Sequence, residues 1–292
     1  MKLVTFHHDG TDRVGIWQER GVLDLSKTNL PATMLELIEM GEDGIAQLGN
    51  VVSLGGELIA VDEKDLRQPI IRPPKILAIA LNYAEHVKES LTEEPPVQMW
   101  FNKQSTCANG PYDDIDLPLV SDKLDYEGEL GVIIGKRCRH VPAERAMDVI
   151  FGYTVVNDVS VRDWQRAAQT FQIGKSFDTH GPFGPCIVTR DEIDDPQDLD
   201  IRTLVNGEIR QDANTRLMIH SIAEQIEHLT KAFTLEPGDL LVTGTPSGVG
   251  AAMTPPCFLK EGDVVRVEIE KIGAIENRVV REPAEGSPPV GG

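Results

Sequence analysis

Cysteine is scarce in this chain, and none of it is paired in the sequence. Cys107, Cys138, Cys186 and Cys257 lie far apart with no Cys-x-x-Cys among them, which excludes a zinc knuckle, a redox motif and a disulfide framework. They are expected to be reduced, buried small side chains. Basic residues are also short: 28 Lys plus Arg face 47 Asp plus Glu, for a net charge of -19 and a pI near 4.7. With no basic stripe and interleaved aromatics, a nucleic-acid partner is not expected. An anionic small molecule is repelled by the same field unless local cations overrule it, and Arg162 and Lys175 are available to do so. No apolar run approaches the length of a membrane span, and the start, Met1 to Gly10, has too short an apolar stretch for a signal peptide. The expectation is a cytoplasmic protein with no membrane partner.

Several catalytic signatures are missing as well. There is no His-Glu-x-x-His, and no Gly-x-Ser-x-Gly nucleophile elbow, so a zinc protease and a covalent hydrolase lack support. Gly174-Lys-Ser176 suggests a nucleotide loop, but a P-loop requires glycine where this chain has Gln169.

What is present is a length of 292 residues with 40% hydrophobic content, enough for one or two cores. Short strands are expected at Lys2 to Phe6, Val14 to Gln18 and Gly21 to Leu25, then a helix at Thr33 to Ile38. Arg72-Pro-Pro-Lys75 punctuates the chain before the apolar strand Ile76 to Leu81, which places a boundary near residue 71. The organisation read from this is a small N-terminal module at 1–70, a strand-rich domain at 71–282, and a Pro- and Gly-rich flexible tail at 283–292. Short helices are expected at Asn82 to Ser90, Val161 to Ala168 and Ser221 to Phe233.

The chemistry centres on Glu127-Gly-Glu129. On a strand these carboxylates project to one face, about 6.7 Å apart along the chain, while Tyr126, Leu130, Val132 and Ile134 point the other way. Spacing alone favours a solvated strand face. A second run, Phe151 to Asp158, ends on another acid, however, and three carboxylates converging at strand ends form the hard oxygen set of Mg²⁺ or Mn²⁺.

In Asn82-Tyr-Ala-Glu-His-Val-Lys-Glu89, Asn82 is expected to cap a helix with Glu85 at the capping-box position. His86 and Glu89 then lie one turn apart, so the carboxylate can orient the imidazole and raise its basicity; the bland alternative is an incidental surface pair. Lys175, between apolar Ile173 and Phe177, is placed to hold a carboxylate or an oxyanion, or else reaches solvent. The loop Gly244-Thr-Pro-Ser-Gly-Val-Gly250 offers the Thr245 hydroxyl and backbone N–H groups to an anion, as many structural turns do.

Six ordered blocks, Asn82 to Glu89, Asp125 to Leu130, Gly152 to Asp158, Gly174 to Asp178, Gly181 to Pro185 and Gly244 to Gly250, together resemble the fumarylacetoacetate hydrolase family from about residue 72 to 280. The resemblance implies a mostly β (α+β) fold, a mixed β-sandwich roll with short helices beside a small N-terminal α/β module, and a homodimer. It implies Mg²⁺ or Mn²⁺ on Glu127, Glu129 and Asp158, a lid carrying His86 and Glu89, expected to be mobile from Tyr83 to Asn109, and substrate contacts from Arg162, Gln165, Lys175 and Thr245. His180 stands where relatives often have Phe, either altering a pocket wall or substituting in the packing. The implied reaction is hydrolysis of a C–C bond in an acylpyruvate-type 2,4-dioxo acid. His86 and Glu89 activate water, Lys175 and Gln165 support the oxyanion, and a pyruvate enolate leaves. Isomerisation or decarboxylation of unsaturated 2-oxo dicarboxylates or oxaloacetate is the alternative, and a non-catalytic 2-oxo acid binder a more remote one.

Overall fold

The most apolar stretches of the chain become strands buried on both faces. Gly128–Ile134, Ile150–Asn157 and Gly181–Thr189 are buried at every position in the computed structural model, which describes residues 1–283. Such strands lie inside a covered sheet rather than at a solvated surface. They form the middle of a twelve-stranded mixed sheet. On one side of them follow Lys2–His8, Thr11–Gln18, Gly21–Asp24 and Leu58–Ile59; on the other, Leu240–Val242, Ile76–Ala80 and Met99–Lys103. Most pairings are antiparallel, but Leu240–Val242 runs parallel to Ile76–Ala80.

The N-terminal strands are continuous with this sheet, because Lys2–His8 pairs antiparallel with Gly181–Thr189. Two helices, Met34–Glu39 and Gly41–Leu54, cover it there. Thr33 closes the first with a capping box to Glu36, the arrangement Ser221 and Glu224 repeat at helix Ile222–Ala232. The helix Gly41–Leu54 was not expected from the sequence: three glycines in fourteen residues give it a poor intrinsic propensity, and packing on the sheet supplies the stability instead.

A second sheet of five strands, in the order Glu208–Asn214, Asp200–Val205, Val264–Ile269, Gly273–Arg281 and Ile115–Leu117, packs on the central strands. Val265, Val267 and Ile269 are buried while their neighbours are partly exposed, the alternation of a sheet covered on one face. The two sheets meet at Gly128. A Cβ there would lie 2.2 Å from Thr203 Oγ1, so the residue between the two glutamates has to be glycine for the sheets to close. Mixed sheets with short helices are the architecture expected. Residues 284–292, most of the expected tail, lie outside the described residues.

Three expectations need correction. Cys257 is exposed and Cys138 half-buried, so only Cys107 and Cys186 are the buried thiols anticipated; all four are free. Helix Ala84–Glu89 has Tyr83 at its N-cap position and no side-chain cap. Asn82 is instead buried and bonded across the fold, donating to Thr243 O at 2.8 Å and His220 O at 3.1 Å and accepting from His220 N at 2.8 Å. Glu85, left without a cap to complete, pairs with Lys88.

Candidate active site

Register builds the carboxylate cluster. Gly128 faces Asn157 across the antiparallel pair, so Glu127 and Asp158 sit side by side where the two strands end, and the Asp158 N–H donates to Glu127 O at 2.8 Å. Asn157 secures the same end by accepting from the Glu127 N–H at 3.0 Å. Glu129 lies two residues inward on the same face. Ligand oxygens of Glu127, Glu129 and Asp158 all fall within 4.8 Å of one another, and the three residues are 5%, 1% and 1% exposed. The solvated-face alternative therefore does not apply.

Buried cations bind the cluster together. Lys175 Nζ bridges Glu127 Oε2 at 2.6 Å and Asp158 Oδ2 at 2.7 Å. Lys103 donates to the other oxygen of Asp158 at 2.6 Å. Arg162 spans Asp125 Oδ2 at 2.8 Å and Glu127 Oε1 at 2.6 Å, and donates to Gln165 Oε1 at 3.0 Å. Burial alone would raise the Glu127 carboxyl, but Lys175 and then Arg162 overcome it and hold it down at about 2. Glu129 has no such partner. Burial first, then the charges of Asp158 and Glu127, push it well above the ordinary carboxyl range, against the pull of Lys175 and a hydrogen bond from the Gly244 N–H.

Four acids, Asp125, Glu127, Glu129 and Asp158, thus face three bases, Lys103, Arg162 and Lys175. The uncompensated member is Glu129, and a hard divalent cation shared by Glu127, Glu129 and Asp158 is what this donor set fits.

The dyad stands in the same cavity. His86 Nδ1 lies 2.7 Å from Glu89 Oε1, and both residues line a space of about 570 Å³ together with Glu127, Glu129, Arg162, Gln165, Lys175 and Thr245. All the expected site residues except Asp158 line it, and Asp158 lies directly behind Lys175. His86 is 7% exposed, which removes the reading of an incidental surface pair. Glu89 is fixed in turn by the Gly248 N–H at 2.8 Å. With Nδ1 donating to Glu89, Nε2 is the basic nitrogen.

The glycine-rich loop has a different task from the one expected. Its amides are taken by the protein's own acids: Gly244 donates to Glu129, Gly248 to Glu89, and Gly250 and Ala251 to Asp125 at 2.8 and 2.9 Å. Gly248 allows this with φ +111° and its α-carbon pressed on Arg210 O, where a Cβ would approach to 2.0 Å. The Thr245 hydroxyl donates to Gly128 O at 3.0 Å and accepts from Gln211 at 2.8 Å, so its proton is already committed. Arg162, by contrast, keeps a buried Nη2 donor with no partner.

Two functional groups escaped the sequence reading. Asp125 was visible only as part of a motif, although a further acid so close to Glu127 calls for a counter-ion. Lys103 ends the strand Met99–Lys103, where a lysine closing an aromatic run was the available signal. It lies within the span expected to be a mobile lid, yet it is 3% exposed and its strand pairs with Ile76–Ala80, so that part of the span from Met99 to Lys103 is tied into the sheet. His180 lies outside the cavity lining. It is buried, stacked on Phe177, and bonded to Asp116 O at 2.8 Å, a packing role rather than a pocket wall.

Residues 75–280 match the model of the family described as fumarylacetoacetate (FAA) hydrolase, C-terminal. The chain belongs to the fumarylacetoacetate hydrolase family and is an enzyme of it. Among its relatives, the mitochondrial oxaloacetate tautomerase FAHD2A of Bos taurus is 41% identical over 264 residues, 89% of this chain and 84% of that one. The maleylpyruvate hydrolase of Sphingobium sp. SYK-6, solved with manganese(II) and pyruvate, is 31% identical with a TM-score of 0.81, covering 97% of this chain and 100% of that one. A 2-hydroxyhepta-2,4-diene-1,7-dioate isomerase from Mycobacterium marinum is 32% identical with a TM-score of 0.74, covering 97% and 99%. Family members thus include a tautomerase, a hydrolase and an isomerase, and the fold alone does not choose among them. No helix among the described residues is long and apolar enough to cross a membrane.

Proposed function

We propose that the chain is a Mg²⁺- or Mn²⁺-dependent tautomerase that interconverts the enol and keto forms of oxaloacetate or a near 2-oxo dicarboxylate. The observation that carries this reading is the His86–Glu89 pair opening on the same cavity as the three carboxylates and the unpartnered Arg162 donor. The likeness to an oxaloacetate tautomerase over 89% of the chain supports the choice of reaction.

The chemistry needs one proton moved and no co-reactant. His86 Nε2 takes the proton from the enol oxygen at C2, so the O–H bond breaks and an N–H bond forms. The same proton then passes to C3 as the C2–C3 double bond becomes single and the C2 carbonyl forms. Glu89 holds the imidazole through Nδ1 and stabilises it while it is charged. Arg162 Nη2 would receive the carboxylate next to C2, and Lys175, which lines the same cavity, would face the oxygen that carries negative charge. A divalent ion on Glu127, Glu129 and Asp158 would supply Lewis-acid stabilisation of that oxygen. Gln165, whose Oε1 is held by Arg162, offers its amide N–H groups to the substrate.

Hydrolysis of an acylpyruvate-type 2,4-dioxo acid is the second reading, because the same His86–Glu89 pair suits activation of water and the maleylpyruvate hydrolase is similar over 97% of the chain. Either reading takes a small anionic 2-oxo acid, and the homodimer implied by the family goes with both; light scattering measures it. The deciding experiment follows the ultraviolet decay of enol-oxaloacetate and the cleavage of acetylpyruvate, each with Mg²⁺ and with Mn²⁺. Faster loss of the enol supports the tautomerase. Acetylpyruvate cleavage without it puts the hydrolase in its place.

A further inference from the structure

Arg162 and Lys175 are both buried and both ion-paired with the protein's own acids, Arg162 keeping only its Nη2 donor for a ligand. One cation of the cavity is not. Arg166 lines the same space, is exposed to solvent, and makes no ion pair or hydrogen bond among the described residues. It lies on helix Arg162–Ala167, four residues beyond Arg162 and so on the same face, about 6 Å away along the axis. Leu81, Leu91, Met99, Phe101, Phe171 and Met253 give the same cavity apolar stretches of wall. Such a wall accepts the carbon chain of a substrate but no charge.

We infer that Arg166 is the specificity-determining residue of the site, receiving the distal carboxylate of a 2-oxo dicarboxylate whose 2-oxo acid end is held at Arg162. This deepens the proposed function and rests on its substrate orientation. The separation along the helix suits a diacid of four to a few more carbons, and the cavity of about 570 Å³ has room beyond a three-carbon acid. Charge favours such a cation: a chain of net charge -19 repels a dianion overall, and Arg166 is a cation of the cavity lining with no acid partner among the described residues to offset that field. A monocarboxylic 2-oxo acid gains nothing from it.

The test uses a matched pair of ligands, 2-oxoglutarate and 2-oxopentanoate, which differ only in the distal carboxylate. Their binding to the full chain in excess Mg²⁺ is measured by calorimetry for wild type, Arg166→Gln, Arg166→Lys and, as a control for overall charge, the exposed Lys260→Gln. The expected result is a wild-type preference for the diacid of about tenfold. Arg166→Gln should abolish it with 2-oxopentanoate affinity unchanged, Arg166→Lys should keep part of it, and Lys260→Gln should keep all of it. A wild type with no preference, or an Arg166→Gln protein that retains it, overturns the assignment. Because binding is read without turnover, failure of the tautomerase reading shows separately, as wild-type protein that does not speed the decay of enol-oxaloacetate.

Discussion

Lys103 holds one oxygen of Asp158 at 2.6 Å while Lys175 holds the other at 2.7 Å, and both lysines are buried. Two ammonium groups thus hold both oxygens of Asp158, as Lys175 and Arg162 hold those of Glu127. Lys103 also donates to the Lys175 backbone oxygen, so it fixes the second lysine as well as the acid. Lys103→Met removes one partner of a buried pair, a change that costs about 3 kcal/mol or more. The denaturant midpoint of the metal-free variant should fall accordingly. Excess Mn²⁺ should recover much of the loss, since a divalent ion on the cluster supplies the positive charge that was removed. Equal destabilisation with and without Mn²⁺ would show that Lys103 serves packing alone.

His180 sets a pH dependence away from the active site. Burial, opposed only weakly by its bond to Asp116 O, pushes the imidazole down to about 3 from an ordinary 6.5. The folded chain keeps it neutral, whereas the unfolded chain takes up a proton once the pH drops below that ordinary value. The stability it contributes is therefore complete above about 6.5 and is lost as the pH falls toward 3, with a slope approaching about 1.4 kcal/mol per unit. His180→Phe keeps an aromatic ring against Phe177 and has nothing to titrate. Urea unfolding from pH 7 to pH 4 should give a flatter curve for the variant; parallel curves would mean that the buried imidazole is protonated in the folded state too.

Much of the site was legible because its chemistry is written in adjacent residues. Glu127-Gly-Glu129 shows two carboxylates on one face, and His86 and Glu89 are one helical turn apart, so local geometry brings each pair together. The central strands and all four expected helices were legible in the local sequence for the same reason. What stayed hidden depends on contacts between distant segments. Lys103 reaches Asp158 only because its strand becomes the sheet edge beyond Ile76–Ala80, and nothing within the sequence around it marks that pairing. The amides of Gly244, Gly248 and Gly250 looked free for a substrate until the fold put Glu129, Glu89 and Asp125 beside them. Asn82 looked like a helix cap because its competing partners, Thr243 and His220, are more than a hundred residues away.

A lid, if one closes this cavity, is confined by that sheet edge. The helix Ala84–Glu89 and the loop to Gln98 carry exposed Leu91 and Val97 and few buried apolar groups, whereas Met99–Lys103 is tied into the sheet. Hydrogen exchange with oxalate and Mg²⁺ should slow across residues 84–98 and leave 99–103 slow under both conditions. Exchange unchanged by bound oxalate across 84–98 would exclude closure as the step that shields the reaction from water.

His86 separates the reactions that share this cavity. In the proposed mechanisms tautomerisation and acylpyruvate cleavage both pass a proton through Nε2, so His86→Ala should lower both by roughly the 10²- to 10⁴-fold typical of general-base loss. Glu89→Gln, which leaves the imidazole in place but takes away the charge behind it, should lower both by less. Decarboxylation of oxaloacetate needs an enolate stabilised at the carboxylate cluster but no proton carried by His86, so it should survive His86→Ala and fail in Glu129→Ala. Measuring the three reactions in the three variants under saturating Mg²⁺ gives each residue its own pattern. Should His86→Ala retain wild-type rates of enol decay and of acylpyruvate cleavage while Glu129→Ala is dead, the imidazole is a wall of the cavity. The proton would then travel by another route, and decarboxylation would become the reaction the site serves best.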